Sequence, residues 1–289
     1  MKKWILILLT LFLLTGCCTE ENEPVEKWTD FPASAASFPL QSLLEDLQSE
    51  VSEPELQGRV ELCGSTQAAW RTLIRIVNPE PRMILAYAPS VEMIRELKGF
   101  DTRWKSEGIG YDALVMVSGR KNPVDSLTVQ QIRDIYSGKI TNWKEVGGHD
   151  EPIRIFIQDQ DSGLQTAFEH QIMQTVPIIK PQTEWFYERK GVAVERLASF
   201  DGGSDALGFT SRALLEQIEA SDKVKTIRVD NVPATMKTIE DGSYPLILEV
   251  YLATNDEHDR LIRQIRQWFE TDRGRQLLRE HNLVEKKRN

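Results

Sequence analysis

Apolar and polar positions along the chain follow two periods, and the switches between them mark out strands and helices. Val60 and Leu62 alternate with Glu61 and Cys63, and Gly64-Ser65-Thr66 then opens a helical pattern running to Val77. Further on, Ile153, Ile155 and Ile157 alternate with Arg154, Phe156 and Gln158. The polar turn Asp159 to Gly163 leads from there into a helix with Leu164, Phe168 and Ile172 on one face. Both units read as strand, short polar loop and helix N-terminus, and their alternation predicts an α/β fold. Between them, Thr128 with Gln131 predicts a capping box, Val129, Ile132 and Ile135 an apolar stripe, and Gly138 a helix stop. Leu43, Leu44 and Leu47 share a face of a helix predicted near 40–51. Leu261, Ile262, Ile265, Trp268 and Phe269 mark another, and a shorter one follows around Leu277 and Leu278.

The N-terminus has a pattern of its own. Lys2 and Lys3 precede an apolar run from Trp4 to Leu14, too short for a spanning helix of about 20 residues. It reads as a signal peptide over 1–16. Leu14-Thr15-Gly16-Cys17 resembles the lipobox of bacterial lipoproteins, so Cys17 is the expected lipidated residue. That lipid would hold the protein on the extracytoplasmic face of the cell membrane. Glu20, Glu21, Glu23 and Glu26, with Pro24, Pro32 and Pro39, predict a flexible tether over 17–57.

The net charge of -9 becomes -11 once Lys2 and Lys3 leave with the signal (-9 - 2). Nucleic acid is therefore not an expected partner, because phosphate backbones are held by clustered Lys and Arg. A small anion is still compatible, since backbone N–H groups bind it without net positive charge. Cys63 is the only cysteine outside the lipobox pair Cys17 and Cys18, so no disulfide framework is expected within the fold. His149, His170, His258 and His281 are scattered and form no metal-ligand spacing. No cofactor is implied.

Ser162 with Gln165 reads as a second capping box, at a helix end where Gly163 would let a ligand approach the backbone. Ser65 and Thr66 invite the same reading. Each fragment is also what an ordinary capped helix looks like. Two such ends facing across a cleft would clamp one small anion, since each presents free N–H groups and a positive dipole end. Ser162 lacks the Gly-x-Ser-x-Gly elbow of a nucleophile, so catalysis is not expected.

Asn122 to Thr128, followed by Ile132 to Gly148 around Asn142-Trp143, closely resembles the phosphate ABC transporter substrate-binding proteins. The similarity continues through Ser162-Gly163, Ala206 to Phe209 and Gly242-Ser243-Tyr244-Pro245, and is best over 109–250. The resemblance implies a two-lobed type II periplasmic-binding-protein fold with a ligand cleft between the lobes. Lobe I would comprise 58–121 and 245–289, and lobe II 122–244. Carried over by position, the oxyanion site would be Ser65 and Thr66 on one side, and Gln158, Ser162, Gly163, Gln165 and Thr166 on the other. ABC permease subunits would be the partners of a transport-competent receptor, with phosphate as the first candidate ligand.

Four departures bear on that ligand. Gln158 stands where relatives carry an arginine that grips phosphate, exchanging a charge-assisted contact for a neutral one. Leu164 replaces a hydroxyl residue, and no acid accompanies Pro89-Ser90. Lobe I looks shortened at Asn78 to Met83. Arg154, Arg189 or Arg212 could restore the missing charge, Arg154 by lying on the same strand face as Gln158. The alternative reading is a degenerate sensor or interaction lipoprotein with a lost or altered ligand site.

Overall fold

The computed structural model describes residues 31–53, 57–58, 60–63, 65–74, 82–99, 104–179, 185–186, 204–217, 223–254 and 260–286. Lys105–Gly119 forms one long strand, β4, and the molecule is organised around it. Its first half pairs with β11 (Ile247–Thr254) and β12 (Val284–Glu285), its second with β9 (Ala206–Ser211) and β10 (Val224–Val229). The crossing between lobes falls within β4, where Ala113 opposes Ile247 while Leu114 opposes Ser211. Tyr244 fixes the return, its hydroxyl donating to Leu114 O at 2.8 Å.

Lobe I extends from β11 to β3 (Met83–Tyr87), β1 (Ser34–Ser37) and the edge strand β2 (Val60–Cys63). Period-two alternation buries both faces of β3. Met83, Leu85 and Tyr87 join the main core, and Ile84 and Ala86 a second one under α2 (Thr66–Thr72) and α3 (Val91–Gly99). Cys63 lies buried in that second core. The predicted helix near 40–51 is α1 (Gln41–Val51), with Leu43, Leu44 and Leu47 buried.

The flexible tether predicted over 17–57 needs correction, because its second half is structural. β1 lies between β2 and β3 in parallel register, Phe31 is buried, and Gln48 donates to Gly58 O. Glu50 is ion-paired with Arg273 of the C-terminal helix α9 (Asp272–Glu280). Pro and Glu content marks solvated chain only where no apolar partner waits, and Leu43, Leu44 and Leu47 had one. Residues 1–30, with Cys17, lie outside the described residues, as does most of Asn78 to Met83.

Lobe II carries β5 (Ser126–Leu127), α4 (Val129–Tyr136), β6 (Arg154–Ile155), β7 (Ile157–Gln158) and α5 (Gly163–Phe168). Here β7 pairs with β8 (Trp185–Phe186). The predicted capping box at Thr128 and Gln131 is present in full, and Gly138 follows the helix with φ of 81°. Its conformation is the left-handed one that glycine adopts at little cost. After Ser211, α6 (Arg212–Glu216) returns to the crossing, and α7 (Met236–Glu240) and α8 (Arg260–Phe269) complete the described elements.

Candidate functional site

The first strand–loop–helix unit places α2 with its N-terminus at the boundary between the lobes. Trp70, fully buried, anchors it: its indole donates to Tyr87 O at 2.9 Å and meets Trp104 edge-on. Burying such a side chain contributes on the order of 3 kcal/mol. Ser65 caps the helix by accepting from Ala68 N. The second unit places α5 opposite. Leu164 and Phe168 are fully buried, and Phe168 stacks on Phe209 with centroids 4.2 Å apart. Ser162 caps this end, accepting from Leu164 N and Gln165 N.

The two helix ends meet. A Cβ added to Gly163 would lie 2.8 Å from Thr66 Cβ and 2.9 Å from its Cγ2, and closer still to Oγ1. Thr66 Oγ1 is buried against Gly163 with no hydrogen-bond partner. Gln67 reinforces the contact. Its backbone N donates to Asp161 O at 3.2 Å, its Nε2 to Thr166 Oγ1 at 3.2 Å, and its Oε1 accepts from Ser90 N. Arg71 adds an ion pair to Asp161 at 3.6 Å. At this contact lobe I meets lobe II through one turn of helix on each side.

The sequence-predicted site residues fall into two groups. Thr66, Gly163 and Thr166 are brought together at this contact, with Ser65 and Ser162 behind them as caps. Gln158 and Gln165 are turned away. Gln158 is buried within lobe II, donating to Phe209 O at 3.0 Å, while its backbone N donates to Gln165 Oε1. Gln165 Nε2 donates to Glu169, so the predicted reciprocal box with Ser162 is only half formed. The strand carrying Arg154 and Gln158 is interrupted at Phe156, whose N donates to Leu207 O, so the two side chains do not share a face. Arg154 pairs with Asp205 at 3.0 Å, half exposed, and Arg212 donates to Asn282 O. Neither replaces the missing cleft arginine, and Arg189 lies outside the described residues.

Beside the contact runs a cavity of about 840 Å³ between the lobes, bordered by Gly163 and Thr166, by Tyr87 to Ile94, and by Ile247 to Glu249. Its roof continues α5 as a π-helical turn, Glu169–Met173, which brings His170 and Gln171 to the cavity. Such turns recur at functional sites. Gln67, Arg71 and this turn were missed by sequence reasoning. Gln67 could have been found from its place directly after Thr66, whereas the π turn leaves no trace in the residue pattern.

Asp112 stands at the crossing in β4. It is fully buried and accepts from Tyr87 Oη at 2.7 Å, from Ala113 N and from Ala213 N. Burial pushes its carboxyl above the ordinary aspartate value, partly offset by these donors. One carboxylate thus ties the cavity-lining strand β3 to the start of α6. Among the described residues no cluster of His, Cys, Asp or Glu could hold a metal. No helix there is long and apolar enough to cross a membrane.

Comparison with known proteins agrees with this architecture. The family described as PBP superfamily domain matches residues 90–271. The phosphate-binding protein PstS of Borreliella burgdorferi is 21% identical over 190 residues, covering 62% of this chain and 65% of that protein. PstS of Staphylococcus saprophyticus is 28% identical over 157 residues, covering 52% and 46%. The chain thus spans about half to just under two thirds of the length of these relatives. A phosphate ABC transporter substrate-binding protein with bound phosphate from Clostridium perfringens superposes with a TM-score of 0.71 at 22% identity, over 89% of this chain and 100% of that one. An ABC-type phosphate transport receptor from Vibrio cholerae gives 0.68 at 18% identity, over 89% and 100%. At these identities the likeness establishes the two-lobed α/β fold.

Proposed function

The chain belongs to the PBP superfamily domain family, and from that premise we propose that it is a lipid-anchored extracytoplasmic solute-binding protein, the receptor of an ABC importer. Its ligand carries a small oxyanion, with phosphate the first candidate, captured where α2 and α5 meet. The observation that carries this reading is the meeting itself. Thr66 Oγ1 lies buried and unpartnered against Gly163, between two helix N-termini whose first N–H groups favour an anion. The names of the relatives, phosphate-binding proteins and phosphate transport receptors, support the choice of anion.

Calorimetry and thermal melting of the purified protein with phosphate, sulfate and a phosphomonoester test the reading. A ligand at a hundredfold its Kd stabilises the native state by about 2.7 kcal/mol, a rise of roughly 5–10 °C for a domain of this size. Neither heat nor a shift with any of these at millimolar concentration would sink it. That result would favour a second reading, a sensor or interaction lipoprotein whose clamp closes on itself, for which the burial of Gln158 and the tight Thr66–Gly163 contact speak. The anchor is tested separately: Cys17→Ala should release the protein from the membrane fraction, and retention there would refute lipidation at Cys17.

A further inference from the structure

Among the described residues, one side chain brings a permanent positive charge to the cavity between the lobes. The lining carries the carboxylates of Glu92, Asp161, Glu169 and Glu249 and a single guanidinium, that of Arg71. Its remaining side chains are neutral, apart from the imidazole of His170. An anion entering this space is repelled by the carboxylates and attracted at Arg71. Gln158 adds no charge of its own and is turned to the Phe209 carbonyl.

Arg71 belongs to lobe I and reaches towards lobe II. It follows Gln67 by four residues on α2 and so shares its helix face. Gln67 is the residue that bonds Asp161 O and Thr166 Oγ1 of lobe II. The guanidinium spans the boundary: Nε donates to Glu96 Oε2 of lobe I at 3.3 Å, and Nη1 lies 3.6 Å from Asp161 Oδ2 of lobe II. Both separations are longer than the usual N–H···O distance of about 2.7–3.2 Å. All three side chains are more than a third exposed, so neither pair holds the guanidinium firmly. Nη2 has no hydrogen-bond partner among the described residues. The planar fork of an arginine offers more donors than these contacts use, and its geometry fits two oxygens of one oxyanion.

Resting on the oxyanion reading above, we propose that Arg71 is the residue that grips the oxyanion, exchanging the Asp161 carboxylate for the ligand. The anion lies in the cavity beside the guanidinium, and its positive partner comes from lobe I, across the cleft from the strand that carries Gln158. Asp161 returns to water at little cost, being half exposed already. The ion pair between the lobes and the ligand therefore compete for one guanidinium.

Calorimetry of the purified full-length protein with inorganic phosphate, on the wild type and three variants, tests this. Arg71→Gln should weaken binding by about tenfold or more, the scale of one hydrogen bond to a charged group. Arg71→Lys keeps the charge without the fork and should fall between the two. Asp161→Asn removes the same interlobe ion pair but leaves the guanidinium and the backbone carbonyl that Gln67 uses. It should bind phosphate as tightly as the wild type, or more tightly. Equal affinity in the wild type and Arg71→Gln overturns the proposal and leaves the oxyanion receptor intact. So does an Asp161→Asn protein weakened as much as Arg71→Gln, since the effect then belongs to the ion pair and not to the ligand. No binding of phosphate by the wild type overturns the proposal as well, and failure with sulfate and a phosphomonoester besides overturns the oxyanion reading with it.

Discussion

Gly163→Ala separates local helix energetics from the contact between the lobes. At the first position of α5, alanine removes backbone freedom from the unfolded chain and should stabilise the protein by about 0.4–1 kcal/mol. The opposite lobe reverses the sign. The new Cβ would stand 2.8 Å from Thr66 Cβ and 2.9 Å from Cγ2, against a favourable carbon–carbon separation of about 3.5–4.0 Å. Rotating Thr66 moves Oγ1 and Cγ2 but leaves Cβ in place, so a rotamer change cannot clear the overlap. Overpacking of this kind costs about 1–3 kcal/mol. Parting the lobes instead forfeits the two hydrogen bonds from Gln67 to lobe II, each about 1 kcal/mol. The net expectation is a loss of about 1–2 kcal/mol, or a Tm lower by about 2–8 °C. Adding Thr66→Gly removes Cβ, Oγ1 and Cγ2 together and should recover the part of the loss due to overlap, visible as coupling in a double-mutant cycle. A Tm raised by Gly163→Ala alone would refute the argument, because it would mean that α2 and α5 do not touch.

Other outcomes follow from the same geometry. Asp112→Ala should cost several kcal/mol, since it strands three donors at about 1–3 kcal/mol each; denaturant unfolding checks it, and a loss below 1 kcal/mol would contradict the network. Because burial raises the Asp112 carboxyl above 3.8, the native state holds that proton more tightly than the unfolded chain. Its contribution to stability is therefore greatest below pH 3.8 and declines as pH rises through the native value. Asp112→Asn should abolish that slope, and an unchanged slope would show that other groups produce it. Arg154→Ala should leave ligand affinity unaltered and stability within about 1 kcal/mol, the pair with Asp205 being partly exposed on both sides; a tenfold weaker Kd would return Arg154 to the site. Gln67→Ala should speed ligand release and expand the ligand-free protein in small-angle scattering, since its amide bridges Ser90 and Thr166; an identical scattering profile would rule out a latch.

The residue pattern alone determined the α/β class, α1 with its buried leucines, the box at Thr128 and Gln131, the stop at Gly138 and the two polar loops that open α2 and α5. Each depends on residues a few positions apart, so local spacing suffices to specify it. The extent of lobe I was not legible. Pro and Glu near the N-terminus read as spacer until β1 is seen between β2 and β3, a pairing with residues far along the chain. The direction of Gln158 was equally hidden: strand alternation assigned it to the face of Arg154, but the break at Phe156 turned its amide to the Phe209 carbonyl. Ser65, Thr66, Ser162 and Gly163 were readable as two helix ends. That they meet, leave the Thr66 hydroxyl without a partner and open onto an acidic cavity was decided by tertiary structure, because contacts between lobes depend on how β4 carries one sheet into the other.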